Sequence, residues 1–138
     1  MKINWVRVML AGLVSEMLFM LVYQIYIWRF GTNQATIYYV AIGAVIVLLL
    51  GALWAGRKIE SRFILHGFLV GVFAIIYYVI VSFPNVLNGT FPMNYWMAAL
   101  IGHPPKLVGG LLGGYIAGRI AKAKSISAPE PVKTATRS

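Results

Sequence analysis

The stretch TIYYVAIGAVIVLLLGALWAG, residues 36–56, decides the fold. It carries no charged side chain, and Arg57-Lys58 follows it at once. About 20 uninterrupted apolar residues in a helix match the roughly 30 Å hydrocarbon thickness of a bilayer. No water is available there, so the backbone groups must bond within a helix or a closed barrel. The segment lacks the period-two alternation of a barrel strand, which leaves the helix.

Three more stretches repeat this pattern on either side: about Trp5 to Trp28, Arg62 to Phe83 and Tyr95 to Ala121. Of 138 residues, 60% are hydrophobic and 11% charged, too few polar side chains to cover a soluble globule. The expected fold is all-α, a four-helix transmembrane bundle with spans at about 5–28, 36–56, 62–83 and 95–121. These make one membrane domain, 1–124, followed by a disordered tail, 125–138, that has almost nothing to bury. Residues 57–61 leave room only for a tight hairpin between spans two and three. Residues 84–94 form a longer connection, with Asn88-Gly89 as a turn signal. Pro104-Pro105 leaves the last stretch open to two readings. It is one kinked helix, or an interfacial piece ending near Gly102 and a helix starting at Pro104, where proline loses no donor. The second is favoured slightly. The first stretch contains Glu16, is longer than a signal-peptide core and lacks a cleavage site after it, so it reads as a retained helix.

Charge sets the orientation. A four-span path puts Lys2, Arg7, Arg57, Lys58, Arg62, Arg119, Lys122, Lys124, Lys133 and Arg137 on one side and Arg29 on the other. Positive flanks stay inside, so both termini are expected in the cytoplasm. Trp5, Trp28, Trp54 and Trp96 lie near span ends, the positions of interfacial aromatic belts. The net charge of +9 is therefore a membrane signature, and no nucleic acid partner is expected.

The halves resemble each other. Arg7-x-x-Leu10-x-Gly12 matches Arg62-x-x-Leu65-x-Gly67, and Gly51 to Arg57 matches Gly113-Gly-Tyr-Ile-Ala-Gly118-Arg119. Each repeat holds two spans, so the expected arrangement is two parallel helical hairpins. With its Gly-Gly-x-x-Ala-Gly-Arg end, the chain resembles small bacterial four-span integral membrane proteins of unknown function. That resemblance covers most of residues 5–120 and implies the fold and a bacterial inner (plasma) membrane, and no activity.

Several residues invite a functional reading. Gly67 and Gly71 in span three, and Gly109, Gly110, Gly113, Gly114 and Gly118 in span four, recur at four-residue spacing. Such spacing lets helices approach closely in lipid, within one bundle or between copies. Glu16 is the one acid well inside a span, roughly 13 Å beyond Arg7 by helical rise. Lys106 lies roughly 20 Å above Arg119 on the same measure, close enough for its stem to reach the glutamate. An intramembrane acid points to a structural pair, a proton relay or a substrate site. His66 and His103 lie at different depths and read as hydrogen-bonded side chains; no metal or other cofactor is expected. A helix start at His103-Pro-Pro-Lys106 would also offer an anion site. The chain has no cysteine, no aspartate and no recognisable catalytic constellation, so an enzyme is not expected.

Two functions from different classes follow. One is a non-catalytic scaffold or accessory subunit working by helix packing, its partners being the lipid bilayer, a second copy or other membrane subunits. The alternative is a small proton-coupled transporter using Glu16. Small multidrug-resistance carriers share four short spans and a glutamate in the first, but the rest of their pattern is absent here.

Overall fold

The computed structural model describes residues 3–31, 34–89 and 95–127, and every regular element among them is an α-helix. The helices are α1 (Trp5–Phe30), α2 (Gln34–Gly56), α3 (Phe63–Leu87) and α4 (Tyr95–Ser127). α1 begins at Asn4, whose side chain accepts from the Arg7 backbone N–H and satisfies a donor that the first turn leaves free. It ends at Gly31, which takes a positive φ of 69°.

α3 starts less easily. Arg62 adopts a left-handed conformation, φ 55° and ψ 40°, unfavourable for a residue with a Cβ by about 1–2 kcal/mol. Its carbonyl receives both the His66 backbone N–H at 3.1 Å and the His66 ring at 2.9 Å, which holds the turn in place.

One proline site differs from the sequence reading, and the other follows the less favoured of its two alternatives, a single helix. α3 continues through Pro84 to Leu87, so residues 84–87 are helix and not connection. α4 is one continuous helix with Pro104 and Pro105 inside it. A proline ring removes one donor and crowds the carbonyl four residues back, yet neighbouring helices hold such sites together in membrane proteins. Here α4 packs along both α2 and α3, so its path is set by its neighbours. With no helix start at His103–Lys106, the anion site expected there disappears. α4 also runs on to Ser127, into the segment assigned to the tail; residues 128–138 lie outside the described ones.

α1 packs on α2 and α3, and α4 packs on the same two; α2 and α3 touch across the middle. Among the described residues α1 and α4 do not pack directly. The core is made of small side chains, with Val8, Ala11, Leu48, Ala52, Ala55, Val70 and Ala74 in one cluster. The outer surface is apolar instead of polar. Leu21, Ile25, Ile46, Leu50, Val79 and Ile80 are among many large aliphatic side chains left exposed. A soluble monomer does not present such a surface over its whole length. Three helices are long and apolar enough to cross a membrane: α1, α2 over Tyr38–Gly56, and α3. Only 33, 33 and 28% of their apolar stretches are buried inside the bundle. α4 carries prolines, glycines and Lys106 in its middle and is the least apolar of the four.

Candidate functional site

α4 meets α3 with almost no side chain between them. A Cβ at Gly67 would collide with the Gly110 carbonyl, and one at Gly110 would collide with the Gly67 carbonyl. Further along, a Cβ at Gly71 would stand 2.9 Å from the Lys106 carbonyl and 3.2 Å from the Leu107 Cα. The same is true toward α2, where Gly109 lies against the Val45 carbonyl and Gly113 against that of Leu49. Gly114 lies against the Phe63 carbonyl, and Gly118 is close to the Phe63 ring. These glycines are turned into the bundle, where the close approach fixes α4 between its two neighbours.

From that position Lys106 reaches across to α1. Its Nζ donates to both Glu16 carboxylate oxygens, each at 2.7 Å, and each side chain is only 2% exposed. The pair bridges the one diagonal of the bundle that has no direct helix packing. Aromatic faces complete the enclosure. The Lys106 ammonium lies 4.7 Å from the Tyr78 ring centre, on α3, and 5.1 Å from that of Phe19, one turn along from Glu16. A cation held against ring faces gains further electrostatic stabilisation when water is excluded. Neither charge would be tolerated alone in so buried a position, whereas together they satisfy each other.

His103 sits one turn before Lys106 and packs edge-on against Tyr78, with ring centres 5.1 Å apart. Its Nδ1 is buried and has no hydrogen-bond partner among the described residues. His66 is elsewhere, at the opposite end of the bundle. With the proton on Nδ1, the ring donates to Arg62 and its Nε2 accepts from the Asn4 backbone N–H at 3.4 Å. The structure therefore joins Glu16, Lys106 and His103 in one neighbourhood and leaves His66 as a clasp between the starts of α1 and α3. No group of three or more metal-binding side chains occurs among the described residues.

Tyr78 and Phe19 belong to this site and carry no signal in the sequence, because only the rotation of α1 and α3 turns them toward Lys106. Asn4 did carry one: an asparagine just before an apolar run is a helix-start signature. Comparisons with protein-family profiles, with characterised proteins and with solved structures found no match.

Proposed function

We propose that the chain is a non-catalytic integral membrane protein, a small scaffold or accessory subunit that acts through helix packing. The observation that carries this reading is the Glu16–Lys106 pair, bidentate and sealed, tying α1 to α4 where no backbone contact does. An ammonium and a carboxylate engaged with each other and enclosed by rings are placed to hold helices together. In this reading all four helices cross a bacterial inner membrane as two parallel hairpins. The end carrying Arg7, Arg57, Lys58, Arg62 and Arg119 faces the cytoplasm, as does each terminus.

The alternative, a proton-coupled transporter using Glu16, is favoured by one feature. The unpartnered Nδ1 of His103 stands one turn from the pair, and a pair of this kind becomes neutral when one proton passes from lysine to glutamate.

The absence of cysteine makes the test direct. Single cysteines are introduced at positions 16, 17 and 18, and labelling by a membrane-impermeant thiol reagent is measured from each side. Met17 and Leu18 are exposed on the outer face of α1, where lipid excludes the reagent, and so serve as controls. The packing reading predicts no labelling at any of the three. Labelling at 16 alone would reveal a water path to the pair and would replace this reading with the carrier.

A further inference from the structure

A groove of about 1060 Å³ opens at the end of the bundle opposite the ion pair's outer neighbour His103. Four cations line it: Arg7 from α1, Arg57 and Lys58 from the turn after α2, and Lys124 from α4. No carboxylate is among its lining residues. Four like charges around one concavity raise the local potential and favour an anion inside it.

Arg7 is already fixed in place. Its Nη2 donates to the Trp54 carbonyl at 3.0 Å, and its guanidinium lies 4.7 Å over the Trp54 ring. Its Nε is buried and has no hydrogen-bond partner among the described residues. Positive flanking residues alone set topology without any such arrangement; a guanidinium oriented by the Trp54 carbonyl and ring is something more.

The rest of the lining is apolar, with Leu53, Ile59 and Ile120 beside the cations. A soluble phosphate would use the charges and leave that wall wet. A phospholipid presents an anionic headgroup and the top of its acyl chains together, at the depth where these helices end. We propose that this groove binds the headgroup of an anionic phospholipid, with Arg7 as the oriented contact and Arg57, Lys58 and Lys124 around it. Basic pockets between helices at the cytoplasmic face are suited to such headgroups. The inference rests on the membrane reading and holds whichever role the Glu16–Lys106 pair plays.

The test uses the full chain purified in a neutral detergent, with bound lipid counted by native mass spectrometry. Phosphatidylglycerol and phosphatidylcholine are added in turn, the former also against inorganic phosphate and against sodium chloride of equal ionic strength. Phosphatidylglycerol should be retained over phosphatidylcholine, and Arg7→Gln should weaken its retention about fivefold. Arg57→Gln with Lys58→Gln, both in the exposed turn, should weaken it further, since two cations are lost, without touching the Arg7–Trp54 contact. Lys122→Gln, at the same end but outside the groove, should have no effect. Equal retention of the two lipids, or equal losses from Lys122→Gln and the turn variant, would overturn the proposal. So would displacement by inorganic phosphate beyond that by chloride, which would identify a soluble phosphate as the occupant.

Discussion

α4 is held in two unlike ways. Toward α2 and α3 it presents glycines, and backbone lies on backbone; toward α1 it presents one long charged side chain that crosses a gap. The first contact depends on the absence of atoms, and the second on a complementary pair of them. Lipid tails are as apolar as the helix surfaces, so burying another leucine adds little in a bilayer. What remains for stabilising a small bundle is close packing and the pairing of polar groups that lipid cannot satisfy. This chain uses each on a different side of the same helix.

The contrast predicts effects of graded size. The largest belongs to the backbone contact. Gly110→Leu puts a branched side chain where even a Cβ would strike the Gly67 carbonyl, and no rotamer escapes. Overpacking typically costs about 1–3 kcal/mol when side chains can adjust, and here the obstacle is backbone, so loss of the folded species is expected. Size-exclusion chromatography of the detergent-solubilised protein would show it as aggregation. A monodisperse, wild-type-like profile would mean that α3 and α4 are not in such contact.

Next comes the charged contact. Glu16→Met leaves Lys106 without its partner, and removing one member of a buried ion pair typically costs about 3–5 kcal/mol. A clear fall in the thermal midpoint is expected, with the protein still folded at low temperature. The smallest effect should have the opposite sign. Gly102 lies in the same helix as Gly110, but a Cβ there meets nothing within 4 Å. Gly102→Ala should therefore stabilise by about 0.5–1 kcal/mol through helix propensity alone. Destabilisation at that position would show that α4 is not a regular helix just before its two prolines.

The same contrast explains what the sequence revealed. Long apolar stretches with basic flanks made helices legible, because lipid leaves a backbone few options. Depth arithmetic from Arg7 and Arg119 brought Glu16 and Lys106 within reach of each other, since each is the one strongly charged residue deep in its stretch. Rotation about the helix axes was not legible. Residues on almost every face of α1 and α3 are apolar, so no stripe marked the side bearing Phe19 or Tyr78. The prolines misled for a related reason. Their local preference is to end a helix, but Pro84, Pro104 and Pro105 lie in helices whose paths are fixed by neighbours far away in sequence. Residues 90–94, within the connection read from sequence, lie outside the described ones.

Glu16 and Lys106 join α1 to α4 as one buried pair. A double-mutant cycle in thermal stability tests this most directly, using Glu16→Met, Lys106→Met and the two combined in the detergent-solubilised protein. Replacing a whole buried pair by apolar side chains is often neutral, whereas removing one partner is not. Each single variant should therefore lower the midpoint, and the double variant should recover most of the loss, so that the coupling approaches the sum of the two single losses. Losses that simply add in the double variant would contradict the account, because they would mean the two side chains stabilise the bundle independently.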